Sequence, residues 1–190
     1  MKLIVSQKLG QNNKDKLITF WSLVYPVSYI LSTKGAMENS AFIKTAKQRL
    51  RSVPLTGVLK RTKDGFTYLK IPNNVINGLF ACIDEENISK PPYNQGKYKS
   101  IGAHISVIQS SETEGKELEI KELGQEFSFK LGKFYSIEPK NWKEMERVWF
   151  VTVESPELER LRKKYKLTKK IEGHEFHVSV AVRRKKKRAK

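Results

Sequence analysis

The chain has 190 residues, 38% of them hydrophobic, which is enough for one domain with a substantial core. Its 37 Lys and Arg against 20 Asp and Glu leave a net charge of +17, favouring a polyanionic partner and ranking nucleic acid ahead of an acidic membrane surface. A single cysteine excludes an internal disulfide, and Cys82, set among Leu79, Phe80 and Ile83, reads as a buried structural thiol in a reducing compartment.

The most apolar stretch, "LITFWSLVYPVSYIL" at residues 17–31, is interrupted by Pro26. It is too short for a membrane span and too far from Met1 for a secretory h-region, so it is read as a core element. Residues 1–56 are assigned to an N-terminal extension packed on the domain, and residues 57–182 to the domain itself. "TGVLKR", the turn "TKDG" and "GFTYLKI" predict a hairpin. Pro72 then marks a helix start, with Val75, Ile76, Leu79, Phe80 and Ile83 at helical spacing behind it. "EENISKPPYNQGKYKS" reads as a polar loop. Its Tyr93, Tyr98 and Lys99 are candidates for stacking on a base or meeting a phosphate. The loop leads into "GAHISVI", a strand with His104, Ser106 and Ile108 on one face and Ile105 and Val107 on the other.

"KELEIKEL", "QEFSFKL" and "KFYSIEP" predict the short strands of a meander, and then the plan repeats. "RVWFVTV" predicts a strand with Trp149 in the core; Trp142, just before it, is left unassigned. In "SPELERLRKKYKL", Ser155 is the N-cap, Pro156 the first helical residue, and Leu158, Leu161 and Tyr165 share a face. A charged loop follows, with His174 read as a surface or loop histidine. In "EFHVSVAV", His177, Ser179 and Ala181 share one face, and Val178, Val180 and Val182 the other. Residues 183–190, "RRKKKRAK", have nothing to bury and are expected to form a disordered tail. Its Arg183, Arg184, Lys185, Lys186, Lys187 and Arg188 are candidate nucleic-acid contacts or, in a eukaryote, a nuclear targeting signal on an otherwise cytoplasmic protein.

Strand, helix and His-x-Ser strand thus occur twice, using two of only three histidines. The aliphatic residues flanking each Ser can pack under that copy's helix, so His and Ser project together from the other side of the sheet. Copies paired around a pseudo-two-fold axis would bring both His-Ser pairs into one groove. One neutral imidazole can remove a proton while a second, protonated, supplies one. Two hydroxyls beside them suit the non-bridging oxygens of a phosphate. That set suffices for in-line cleavage of a phosphodiester without metal. There is no His-x-x-x-His, second cysteine or dense carboxylate cluster to ligate a metal, and no Gly-x-Ser-x-Gly turn for a serine hydrolase.

"HISV" at 104–107 and "HVSV" at 177–180, with their strand-helix-strand contexts and the "VTVESPELERLRKKY" lead-in to the second, resemble the paired motifs of the 2H phosphoesterase superfamily. The resemblance implies an α+β, two-lobed, pseudo-two-fold fold with antiparallel sheets around a central cleft and helices outside. It implies chemistry on 2′,3′-cyclic phosphates, 2′-5′ or 3′-5′ linkages, or related cyclic nucleotides. His104 and His177 would be catalytic, and Ser106 and Ser179 would hold the phosphate. The leading expectation is a monomeric phosphodiesterase acting on RNA ends or another oligonucleotide, with no metal, cofactor or membrane partner. Two rivals stand beside it: a hydrolase of a small cyclic oligonucleotide signal, and a non-catalytic RNA-binding protein on the same scaffold. The first needs no polybasic arm; the second needs no pair of imidazoles.

Overall fold

The computed structural model describes residues 34–92, 101–113, 118–139, 144–171 and 174–186. The apolar stretch at 17–31, Tyr93, Tyr98, Lys99, Trp142, Lys187 and Arg188 lie outside the described residues. In chain order the elements are α1 (Lys34–Arg49), β1 (Thr56–Arg61), β2 (Thr67–Lys70), α2 (Asn73–Phe80), β3 (Ile88–Ser89) and β4 (His104–Ile108). A 3-10 turn at Ser110–Thr113 follows, then β5 (Glu126–Ser128), β6 (Lys130–Ile137), β7 (Met145–Glu154), α3 (Pro156–Lys164) and β8 (His177–Arg184). No helix among the described residues is long and apolar enough to cross a membrane.

The strands form two antiparallel four-stranded sheets, ordered β4-β2-β1-β5 and β3-β8-β7-β6. The expected hairpin closes through Thr62–Phe66, with Gly65 at a positive φ of 89°. Motif strand β4 is the edge strand of its sheet and runs against motif strand β8, which lies between β3 and β7 in the other. The pseudo-two-fold is legible in the register. Tyr68 of β2 pairs with Ser106 and Lys70 with His104, while Phe150 of β7 pairs with Ser179 and Thr152 with His177.

The faces turned away from the histidines share one core. Leu59, Leu69, Ile105 and Val107 meet Val151, Val153, Val178 and Val180, together with Val75, Ile76 and Leu79 of α2 and Leu158 and Leu161 of α3. Ser155 caps α3 as its sequence requires, its hydroxyl accepting from the Leu158 amide at 3.4 Å. Helix α1 lies against both α2 and β6. Its Phe42 stacks on Phe134 at a centroid distance of 3.7 Å. Leu50, just beyond its end, presses so close to Gly78 that a Cβ there would stand 2.6 Å from Leu50 Cδ2. Cys82 is half-buried rather than buried; its thiol donates to the Gly78 carbonyl at 3.2 Å, and burial raises its pKa.

Several sequence expectations are corrected here. The helices pack crosswise: α2 lies against β8, and α3 against β4 and β5, so each covers the other copy's half. The meander is not one sheet. β5 pairs with β1, the chain crosses over at Phe129, and β6 pairs with β7 in the second sheet, while the Lys121–Leu123 part of "KELEIKEL" is turn. The polar loop contains β3, whose two residues pair with β8 and are too few to show a period. A bulge at Val180 places Ala181 opposite Trp149, and Val182 opposite Val148 in a small separate cluster with Met145. Ala181 therefore leaves the His177 face, and Val182 leaves the main core.

The tail also begins later than expected. Arg183 and Arg184 belong to β8. Arg183 pairs with Glu85 at 2.6 Å and Glu146 at 3.6 Å, and its guanidinium lies 5.2 Å from the centre of the Trp149 ring. Arg184 meets Glu144 at 3.4 Å, and the Lys185 amide donates to the Glu144 carbonyl. Local carboxylates thus hold cations that composition alone assigns to a free arm. Trp149 is buried as expected, with the Arg147 and Arg183 guanidinium groups over its ring.

One fully buried charge ties the halves together. Arg162 of α3 forks onto Glu112 at 2.5 and 2.9 Å and donates to the Val107 carbonyl of β4 at 2.6 Å. It also donates to the carbonyls of Thr168 and Lys170. Glu112→Ala would leave that guanidinium buried without its counter-ion, and should cost about 3–5 kcal/mol. Replacing both partners with apolar residues should cost less; urea unfolding midpoints of the two variants check the order.

Candidate active site

Each motif strand holds its histidine in the same way. His104 donates from Nδ1 to the carbonyl of Gly102 at 2.9 Å, and His177 from Nδ1 to the carbonyl of Glu175 at 3.1 Å. In both cases the acceptor lies two residues upstream. With Nδ1 carrying the hydrogen, Nε2 is the basic nitrogen of the neutral ring. Gly102 reaches its part through a left-handed φ of 68°, a conformation that side chains resist.

Aromatic rings from the neighbouring strand wall both imidazoles. Phe66 and Tyr68 lie 5.9 and 5.6 Å from the His104 ring, both edge-on. Phe150 lies 5.3 Å from the His177 ring, with Tyr135 5.6 Å beyond it. These walls set the electrostatics. Burial pushes His104 down to about 4, partly opposed by the Gly102 carbonyl, and the nearby charge of His177 lowers it further. Burial also lowers His177, against the pull of the Glu175 carbonyl. Both rings are therefore neutral at pH 7, and they sit close enough to interact electrostatically.

Ser106 and Ser179 are half-buried and share a face with His104 and His177 respectively. The structure thus brings together four of the residues singled out in the sequence. Ordinary strand chemistry hid the others: Tyr68, Lys70, Phe150 and Thr152 reach the site only through cross-strand register. An aromatic two residues apart from a polar residue on a strand carries no signal until its partner strand is known. His174 is a loop residue but not a surface one. It is buried, and its backbone forms a two-way bridge with Ile171 at 3.1 and 2.7 Å that closes the loop before β8.

A family model described as the Swiss Army Knife 2H phosphoesterase domain, 2H-SAK, matches residues 67–187. The chain belongs to this family. No curated protein and no solved structure matches it. The match begins at β2 and runs just past β8, taking in both His-x-Ser strands and the helix that precedes each of them, α2 and α3. The 2H phosphoesterase family is generally enzymatic, and the domain points to phosphodiesterase-type chemistry.

Neutral burial of His104 has a consequence for stability. Its folded pKa, about 4, lies below the ordinary 6.5, so the unfolded chain binds the proton first as pH falls. The contribution is whole above pH 6.5 and drains away toward pH 4. His104→Gln should therefore lose less stability than the wild type between pH 7 and pH 4.5, measured by urea unfolding at both.

Proposed function

We propose that this 2H phosphoesterase is a metal-independent phosphodiesterase that cleaves a 2′,3′-cyclic phosphate or a phosphodiester bond in RNA or another oligonucleotide. The observation that carries the reading is the matched presentation of the two imidazoles. Each is fixed by its own strand's carbonyl, and the charge of one is felt at the other. In this reading His104 is the general base and His177 the general acid. Repulsion between the two rings keeps one neutral while the other carries a proton, and the anionic phosphate favours that proton on arrival. His104 Nε2 removes a proton from the attacking water or ribose hydroxyl. The oxygen attacks phosphorus, and His177 gives its proton to the leaving oxygen. Ser106 and Ser179 donate to the non-bridging oxygens, where charge builds up.

His104→Ala and His177→Ala should each lose at least ~10²-fold in turnover, with the double variant little worse, because the pair acts as a unit. Ser106→Ala and Ser179→Ala should lose less, and a chelator should leave activity intact. The kcat/KM profile should be bell-shaped with its optimum below pH 6.5, since both free-enzyme values are lowered. The optimum for kcat should lie higher, since bound phosphate raises both. A panel of cyclic-phosphate and linear oligonucleotides assayed from pH 4 to 9 checks this; full activity in either His variant sinks it.

The positive charge fits the same reading, as sequence-independent affinity for RNA that weakens with salt. Arg183 and Arg184 are occupied by carboxylates, so the contribution belongs to the residues after them. Changing Lys185, Lys186, Lys187 and Arg188 to Gln should flatten the log–log salt dependence of RNA binding while sparing turnover of a dinucleotide. An unchanged slope would leave those residues as a targeting signal.

A further inference from the structure

The pseudo-two-fold relates the backbones of the two halves, and the side chains depart from it most sharply beside the histidines. Lys70 is the cross-strand partner of His104; its counterpart beside His177 is Thr152. Partners in register present their side chains on the same face, with Cβ atoms about 5 Å apart. Thr152 is buried and committed to its own sheet: its Oγ1 accepts from the Lys133 amide at 2.7 Å, over Gly132, where a Cβ would stand only 2.4 Å from that oxygen. It is a structural hydroxyl that pins the bulge in β6.

Lys70 has no such duty. It is half-buried, and among the described residues no carboxylate forms an ion pair with it. Lys60 of β1, the partner of Tyr68, extends the same face and likewise has no ion pair among the described residues. The carboxylate in line with Lys70 on that face is Glu126 on the outermost strand, beyond Val58. In the other sheet Thr152 stands at the position that matches Lys70, and Tyr135 at the one that matches Lys60. The His104 side of the site therefore carries two lysines where the His177 side carries Thr152 and Tyr135.

We propose that Lys70, with Lys60 behind it, binds a second anionic group of the substrate on the His104 side. The preferred substrate is then a phosphodiester that carries a further phosphate, as an oligonucleotide does and a lone cyclic mononucleotide does not. This rests on the phosphodiesterase reading for its biological sense, but the anion site stands on the register and the unmatched charge. A half-buried ammonium on the His104 face, with no carboxylate paired to it among the described residues, is relieved by an arriving anion.

Calorimetry with cytidine 3′-monophosphate and cytidine 3′,5′-bisphosphate tests the site without requiring turnover. The wild type should bind the bisphosphate about tenfold more tightly. Lys70→Gln should reduce that preference to within about twofold while leaving the monophosphate affinity in place, and Lys70→Arg should retain it. Equal wild-type affinities, or a Lys70→Gln loss shared by both ligands, would overturn the proposal. A preserved preference in a protein that turns over no phosphodiester would support the anion site and count against the phosphodiesterase reading alone. Turnover without any preference would do the reverse.

Discussion

A guanidinium with no exposed surface is tolerated only when its N–H groups find acceptors, and Arg162 meets that demand by drawing distant parts of the chain onto itself. It leaves α3 in the second half of the chain and reaches the Val107 carbonyl in the first, one residue past Ser106. Its bidentate partner Glu112 also accepts from the Gln109 amide, fixing the turn that follows β4. Its remaining hydrogens hold Thr168 and Lys170, at the start of the loop that delivers β8. The two motif strands are thereby set relative to each other through one side chain. Hydrophobic burial supplies most of the driving force for folding, but it is non-directional. The guanidinium fixes a geometry.

Within that frame the site is built by repetition. Two strands each carry an imidazole steadied by a carbonyl two residues upstream, and each lies beside a strand that supplies an aromatic wall. Burial lowers both histidines, which keeps the pair neutral until an anion arrives. Repetition stops at the periphery. Thr152 serves the β6 bulge where Lys70 faces outward, and the two ends of the site become chemically different. A symmetric backbone with asymmetric rims can bind an asymmetric molecule in one orientation.

The crosswise packing of the helices gives the two halves a shared core. With α2 against β8 and α3 against β4, neither half buries its apolar face alone. Helix α1 adds to this from outside, spanning α2 and β6 through Phe42, Ala46 and Leu50. Family membership begins only at residue 67, yet β1 pairs with β2 and β5, and α1 packs on the same core.

The sequence by itself determined what depends on short-range periodicity and caps. The alternation in "HISVI" and "HVSV" set His and Ser on one face, Ser155 and Pro156 started α3, and Asp64-Gly65 turned the first hairpin. Those signals are local because the backbone period is local. Tertiary structure decided what depends on the partner strand: that Tyr68 and Phe150 wall the imidazoles, that Lys70 shares a face with His104, and that the bulge at Val180 turns Ala181 and Val182 over. It also decided which charges are free. Arg183 and Arg184 read as a loose tail until Glu144 just before β7, Glu146 within it and Glu85 in the acidic turn before β3 are there to hold them. His174, polar and loop-bound in the sequence, is buried, and its backbone closes a bridge with Ile171. Composition counts charges; only the fold shows which of them are already neutralised by a neighbour from another part of the chain.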